Sequence, residues 1–380
     1  TPGHGLTTGF RAPTPSSDGL DVRQQLVVAD LNDDDQVDVV IGDIVGTSIF
    51  GGPITTNRAR GDGIPLDASY TFAVGDHNGQ GQNDLAYITP SGDAVTLILG
   101  ESGQSYTHNG IALGAVAFVP DADGDGRDEL VVGETFAAFD TPVYVHNDFI
   151  TASSLTDTHT TFRKGESAFL AGGLGFADDD FRLVIGGTSG GAYVLKPLLQ
   201  ADSRDLPLDG NNELLLDGYV SGNDVGRPTI IDSVSGDGDS DLVLSNPLFN
   251  GNSGMFSLGF EVQQDLDTPD ATFTNDLPVL DPGTLCGWAV ASGDFNGDGH
   301  QDLVTSRSDA NLAGSVRIWG GPVEAGSHHC TGETSFDGNT GDRFGNYLAT
   351  GDVTGDGVDD LLIAAPGLAI VYIMAGENGL

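Results

Sequence analysis

The chain has 380 residues, 56 acids against 14 bases, a formal net charge of −42 and only two lysines, Lys164 and Lys196. That charge excludes a nucleic-acid surface, because almost nothing here could replace the counterions of a phosphate backbone. No stretch reaches the ~20 apolar residues of a membrane-spanning helix. Glycine at 57 residues, with 7% aromatics, favours many short strands and tight turns over helices.

Self-repulsion on this scale opposes compaction, so bound cations, high salt or both must offset it. Abundant Asp with almost no lysine suggests a salty habitat, marine or halophilic. The opening "TPGHGLTTGF" carries no signal peptide, as expected of a mature or trimmed form. Cys286 and Cys330 are the only cysteines, enough for one disulfide or two buried thiols but not for a zinc site.

Read in chain order, one unit recurs. It appears as "DLNDDDQVDVVIG" (30–42), "DHNGQGQNDLAYI" (76–88), "DADGDGRDELVVG" (121–133), "SVSGDGDSDLVLS" (233–245), "DFNGDGHQDLVTS" (294–306) and "DVTGDGVDDLLIA" (352–364). A seventh copy, "GFADDDFRLVIGG" (175–187), keeps the strand and loses the loop pattern. From anchors at Asp30, Asp76, Asp121, Asp178, Ser233, Asp294 and Asp352, the steps are 46, 45, 57, 55, 61 and 58 residues. Each loop is followed by a second strand-like run: "GTSIFGG" (46–52), "AVTLILG" (94–100), "PVYVHN" (142–147), "GAYVLK" (191–196), "GMFSLGF" (254–260), "SVRIWGG" (315–321) and "AIVYIMAG" (369–376).

Small sheets at this period predict an all-β fold, a seven-bladed β-propeller with four-stranded antiparallel blades. No composition break divides the chain, so one domain spans 1–380. Its blades fall roughly at 20–66, 67–110, 111–160, 161–215, 216–275, 276–335 and 336–380 plus 1–19. The loop-like stretch 196–230 reads as the outer part of a blade. The last repeat stops one strand short, so "GLTTGFRA" (5–12) is expected to close the ring by supplying it.

Counting each loop from its anchor, positions 1, 3, 5 and 9 are mostly Asp or Asn, and position 6 is mostly Gly. Oxygen side chains at alternate places around a glycine turn suit calcium. Position 7 holds no common side chain, so a ligand there would be the backbone carbonyl, and position 10 is always apolar. Turn-forming propensity alone explains one such loop but not five with the same spacing. EF-hands are excluded, since neither the flanking helix nor a glutamate at position 12 is present.

The expected ligands are Asp30, Asn32, Asp34 and Asp38; Asp76, Asn78 and Asp84; Asp121, Asp123, Asp125 and Glu129; Asp294, Asn296, Asp298 and Asp302; and Asp352, Thr354, Asp356 and Asp360. The second loop is weaker because Gln80 is neutral. In the first, Asp35 replaces the turn glycine, which Asp tolerates better than most residues. In the fifth loop Ser233 and Ser235 replace two acids and leave Asp237 and Asp241, with Asp232 or Asp239 as substitutes, so its occupancy is open, and the fourth is expected to be empty. Four to five calcium ions follow. Five would cancel ten charges and bring −42 only to about −32, so they do not account for the whole acid excess.

The chain resembles the FG-GAP repeats of the integrin α-subunit propeller and its bacterial relatives. The last repeat, "RFGNYLATGDVTGDGVDDLLIAAPG", carries Phe344-Gly345 and Ala365-Pro366, and the sixth, "CGWAVASGDFNGDG", keeps Gly287 without the Phe. The resemblance implies a seven-bladed fold, calcium in hairpin loops on one face, and partners bound through loops on the opposite face.

Other chemistry is thinly represented. "GTSGG" (187–191) fits a nucleophile-elbow pattern but joins two strands instead of a strand and a helix. "HHC" (328–330) reads as a loop with a disulfide partner. His77 and His300 sit at non-ligand loop positions and read as solvated spacers. "RGD" (60–62) arises readily by chance in a Gly- and Asp-rich chain, and two tryptophans, Trp288 and Trp319, give little for sugar stacking. The leading expectation is an extracellular, secreted or cell-surface calcium-binding module that recognises a protein or glycan. The alternatives are a carbohydrate-active enzyme of polysaccharide-lyase type or a purely structural surface module.

Overall fold

The computed structural model describes residues 7–11, 25–43, 46–67, 71–100, 102–110, 112–134, 141–156, 160–164, 168–174, 181–187, 192–195, 202–205, 213–216, 227–246, 255–259, 270–274, 285–308 and 313–377. Among them there is no α-helix, only strands and two 3-10 turns, Arg60–Asp62 and Pro366–Leu368.

The chain opens with β1 (Thr7–Arg11). Then β2 (Gln25–Ala29), β3 (Asp38–Asp43), β4 (Gly46–Phe50) and, after β5 (Arg58–Ala59), β6 (Ile64–Leu66) make the first antiparallel sheet. The second is β7 (Phe72–Gly75), β8 (Asp84–Ile88), β9 (Ala94–Ile98) and β10 (Ser105–Asn109). The third is β11 (Leu113–Val119), β12 (Glu129–Glu134), β13 (Thr141–His146) and β14 (Thr160–Lys164). The fourth is β15 (Ala168–Leu174), β16 (Phe181–Gly187), β17 (Ala192–Leu195) and, after β18 (Asp202–Asp205), β19 (Glu213–Leu216).

The fifth sheet is β20 (Arg227–Ile231), β21 (Asp241–Asn246), β22 (Met255–Gly259) and β23 (Ala271–Thr274). The sixth is β24 (Leu285–Gly293), β25 (Asp302–Ser308), β26 (Ser315–Trp319) and, after β27 (Gly326–His329), β28 (Thr334–Asp337). The last holds β29 (Leu348–Gly351), β30 (Asp360–Ala365) and β31 (Ile370–Met374), and its fourth strand is β1, with Thr7 opposite Ile373 and Arg11 opposite Ile370. The outer strands of the third, fourth and sixth sheets run to Lys164, Leu216 and Asp337, slightly past the rough limits of 160, 215 and 335.

The apolar run after each acidic loop is a strand buried on both faces, which is why it lacks a polar–apolar alternation. Val39 packs with Leu362 and Val371 of the last sheet, while its neighbour Val40 packs with Phe72, Leu85 and Tyr87 of the second. Likewise Leu303 faces Val243 and Phe273 of the fifth sheet, and Val304 faces Leu361 and Ile363 of the last. Position 10 of a loop thus points back at the preceding sheet and position 11 at the next. Truncating one of these side chains to alanine costs about 2–5 kcal/mol.

The first strands lie beside one another in order: β2 by β7, β7 by β11, β11 by β15, β15 by β20, β20 by β24, β24 by β29, and β29 by β2. At the outer edges, three connections reach back to add a parallel strand to the preceding sheet. β5 pairs with β1, β18 with β14, and β27 with β23. The stretch 196–230, expected to be the loop-like outer part of a blade, holds β18 and β19 and also the start of β20, the first strand of the fifth sheet. "HHC" begins on a strand, not in a loop, because β27 is recruited to the fifth sheet, where His328 stacks on Phe273 at 4.8 Å. Cys330 follows it and is bonded to Cys286 on β24, with Cα atoms 6.4 Å apart. Both cysteines are buried in the cluster of Phe273 and Leu303.

Candidate metal centres

Six of the seven loops are described, and each closes the hairpin between the first two strands of its sheet. Residues 175–180, which hold most of the fourth loop, lie outside the described residues, as do 188–191 of "GTSGG", whose flanking strands β16 and β17 are antiparallel neighbours. Position 1 accepts backbone N–H groups across the turn. Asp294 takes Asp298 N at 3.1 Å and Gly299 N at 2.9 Å, Asp352 takes Asp356 N at 2.9 Å and Gly357 N at 2.7 Å, and Asp76 takes Gln80 N at 3.0 Å and Gly81 N at 2.6 Å. Position 5 accepts the N–H two residues on: Gln36 N to Asp34, Arg127 N to Asp125, His300 N to Asp298 and Val358 N to Asp356, all at 2.9–3.0 Å.

Position 6 has positive φ throughout, for example 86° at Gly126 and 87° at Gly299, and an added Cβ there would meet nothing within 4 Å. Glycine is therefore needed for conformation and not for space. Asp35 adopts the same turn at φ 60°. Position 4 turns the same way, from Asp33 at 60° to Gly236 at 81°, which the ligand pattern alone did not signal.

Position 9 is the first residue of the second strand, and it is the floor of the loop. Asp38, Asp84, Glu129, Asp241, Asp302 and Asp360 are all buried, at 0–2% exposure. One oxygen accepts an N–H from the start of the loop, as Phe295 N does to Asp302 at 3.1 Å. In four sheets the other oxygen accepts the N–H of a glycine just past the third strand. These are Gly52 to Asp38 at 3.1 Å, Gly100 to Asp84 at 3.0 Å, Gly321 to Asp302 at 2.9 Å and Gly376 to Asp360 at 3.0 Å. A Cβ at any of these glycines would come within 2.2–2.4 Å of the position-8 carbonyl, so only glycine allows the approach.

Burial and neighbouring loop carboxylates push every position-9 acid upward. Asp84 is raised to about 6, Asp241 to about 7 and Glu129 to about 8, each mainly by desolvation. Asp38, Asp302 and Asp360 are raised for the same reason. Two of these groups also lack a hydrogen-bond donor on one oxygen, Glu129 Oε1 and Asp241 Oδ1. A buried carboxylate oxygen with no donor calls for a cation.

The third loop gathers its acids most tightly: Asp121, Asp123 and Asp125 offer oxygens that all lie within 4.8 Å of one another. The first, sixth and seventh loops set their expected ligands around a buried Asp38, Asp302 or Asp360, with Asn32, Asn296 or Thr354 as the neutral member, but among the described residues they gather no group of three acids as close as the third loop's. In the second, Asn78 Nδ2 donates to Asp84 Oδ1 at 3.2 Å, and Gln80 is exposed at the rim. In the fifth, Ser233 takes the anchor role, accepting Gly238 N at 2.9 Å and bonding Asp237 at 3.0 Å. Oxygen donors alone, with no nitrogen or thiolate, fit a hard cation such as calcium rather than zinc.

Position 8, absent from the ligand pattern, ties neighbouring loops together. Asp128 accepts Asp76 N at 2.8 Å and Asp121 N at 3.3 Å, so one carboxylate holds two anchors. Asp359 accepts Asp294 N at 3.0 Å, and Asn83 donates to Asp30 O at 3.0 Å. His77 is not a solvated spacer. It is 1% exposed, its Nδ1 bonds Asp128 O at 2.6 Å, and its Nε2 accepts Phe149 N at 2.8 Å. Desolvation lowers its pKa, keeping it neutral between two backbone groups. His300 is exposed, as a spacer should be. The Arg60–Asp62 turn carries an exposed Gly61 and Asp62, with Asp62 Oδ2 folded back onto Ala59 N at 2.7 Å.

Comparison with known proteins identifies two of the loops as parts of a known repeat. The FG-GAP repeat matches residues 287–319 and 344–374, which enclose the sixth and seventh loops. The chain carries FG-GAP repeats. It is 34% identical over 96 residues to integrin alpha-PS2 of Drosophila melanogaster and 38% identical over 94 residues to integrin alpha-V of Gallus gallus. Each match covers 24% of this chain, and only 6% and 8% of those much longer relatives. Among solved structures it is similar to BBS1N, crystallised in complex with ARL6DN and soaked with lead, with a TM-score of 0.55, 13% identity and coverage of 97% and 96% of the two chains. That likeness concerns the propeller fold alone. No described helix is long and apolar enough to cross a membrane.

Proposed function

We propose that residues 1–380 form one seven-bladed propeller, closed by β1 on β31, whose hairpin loops bind four to five calcium ions and stabilise an extracellular recognition module. The observation that carries the calcium reading is the buried floor of each of the six described loops. A carboxylate at 0–2% exposure, at the base of an all-oxygen ring, is shifted far from its ordinary range unless a cation joins it. The ligand set is the one expected above, with Gln80, Asp237 and Asp241 in the weaker sites.

Recognition of a protein or glycan through the face opposite these loops rests on the FG-GAP repeats shared with two integrin α chains. An extracellular setting agrees with the Cys286–Cys330 disulfide, which would not persist in a reducing compartment. The acid excess beyond the loops suits saline surroundings. The test is a protein and glycan array run with calcium and with chelator, beside a lyase assay on acidic polysaccharides. Selective, calcium-dependent capture without turnover supports the reading; eliminative cleavage of a polysaccharide would replace it with an enzyme.

A further inference from the structure

The third loop is built differently from its neighbours at one point. By register, Leu130 stands opposite His146, just as Val39, Leu85, Leu303 and Leu361 stand opposite Phe50, Ile98, Trp319 and Met374. Two residues past each partner lies the glycine that donates to the position-9 carboxylate. In the third sheet that place is Asp148, whose Cβ forbids the same approach. Glu129 stands where the described neighbours have Asp, and its Oε1, on a side chain 2% exposed, receives no donor. One residue earlier, where the others have Gly51, Leu99, Gly320 and Ala375, stands Asn147. Its amide reaches the loop, Nδ2 donating to Asp123 Oδ2, and its Oδ1 is buried with no partner.

We propose that Asn147 is a ligand from outside the loop, its side-chain carbonyl completing with Glu129 a cation site at Asp121, Asp123 and Asp125 that is the tightest of the chain. A half-turn of the amide exchanges its two ends. Oδ1 then lies beside Asp123 Oδ2, and two oxygens so placed are stabilised by a cation between them. This adds a protein oxygen that Gly51, Leu99, Gly320 and Ala375, at the same place in four other sheets, do not carry on their side chains, and calcium affinity rises with the number and rigidity of such ligands. The proposal rests on the calcium reading of the loops.

Calcium titration of the chelator-stripped full chain, with ions counted by native mass spectrometry at each free concentration, tests it. Asn147→Ala should weaken the first-filled site at least tenfold, in the ~10–100-fold range typical of groups that support a metal. It should leave the remaining steps unchanged, and Asn147→Asp should restore tight binding. Asp123→Ala should abolish the same step. Thermal unfolding in chelator should be the same for Asn147→Ala and wild type, which separates loss of a ligand from loss of fold. If wild type takes up no calcium, the loop reading itself fails. If Asp123→Ala removes the tightest step while Asn147→Ala does not, the loop reading stands and this inference is overturned.

Discussion

Glu129 of the third loop and Asp241 of the fifth begin equivalent strands, are buried to 2% and 0% exposure, and each leave one oxygen without a donor. Around Glu129 stand three more carboxylates; around Asp241 stand Ser233, Ser235 and the single carboxylate of Asp237. The buried acid at position 9 is therefore a property of the hairpin, set where a strand enters the core. The charge around it belongs to the loop. One scaffold can thus present either a strongly or a weakly attracting site, and affinity should follow the number of charged ligands.

The largest consequence concerns all sites together. Extracellular calcium sites bind at roughly 10⁻⁴–10⁻³ M, and at about ten times the dissociation constant each adds roughly 1.4 kcal/mol. Four or five would contribute on the order of 6–7 kcal/mol, comparable with a domain's net stability. Divided by an unfolding entropy of about 2.1 cal/mol/K per residue, chelation should lower the melting temperature by roughly 8 °C. Calorimetry in chelator and in millimolar calcium measures this directly. Superimposable curves would reduce these loops to ordinary turns.

Next in size is the difference between the two loops themselves. Giving the fifth loop the missing charge, with Ser233→Asp and Ser235→Asn, should add one bound ion to the count seen by native mass spectrometry. The backbone is already prepared, since Gly238 N points at the anchor and Val234 N at Asp241, at 2.9 and 2.7 Å. An unchanged count in a folded double variant would mean that scaffold and charge are not separable in this way.

The pH response without metal is smaller and has a definite sign. Glu129 moves from an ordinary 4.5 to about 8 on folding, and Asp241 from 3.8 to about 7. Between the ordinary and raised values the folded protein holds a proton that the unfolded chain has released. That contribution is fully present below the ordinary values and is lost as pH rises through about 7 and 8. In chelator, the denaturation midpoint should therefore fall from pH 5 to pH 9, and Glu129→Gln should flatten part of the slope. In calcium the third loop's share should shrink, most of all toward pH 9, because the cation competes with the proton for Glu129 and its binding strengthens as pH rises. A midpoint that rises with pH in chelator would contradict the burial argument.

The repeat, the strand after each loop and the positions of the oxygen side chains were legible in the sequence because each obeys a local rule: the glycine turn, the alternate ligands, the apolar run. What was not legible lies between repeats. That His77 is buried depends on Asp128 and Phe149 of the next sheet, and nothing in "DHNGQG" encodes them. The recruitment of β27 to the fifth sheet is equally non-local. One missed feature did leave a trace: the glycine ending "GTSIFGG", "AVTLILG", "SVRIWGG" and "AIVYIMAG" is the donor to position 9, and "PVYVHN", "GAYVLK" and "GMFSLGF" lack it. The first of these departures marks Asn147 and Asp148.

The smallest effect should come from Asp128, which is not a ligand. Its carboxylate accepts the N–H of Asp76 and the N–H of Asp121, so it fixes the anchors of the second and third loops against each other. The corresponding residue of the fifth loop is Ser240, uncharged, so this strut is not general. Burial raises the pKa of Asp128, and it is the two N–H groups that pull the other way and favour its charged form. Asp128→Ala removes an acceptor from both anchors and should weaken calcium at the second and third loops by a few-fold each, leaving the sixth and seventh untouched. Asp128→Asn keeps one acceptor oxygen and should restore one of the two contacts. Titration of both variants against wild type decides the matter. Weakening at one loop only would show that the anchors are held independently, and an equal loss at all loops would mean that Asp128 acts on the fold and not on the sites.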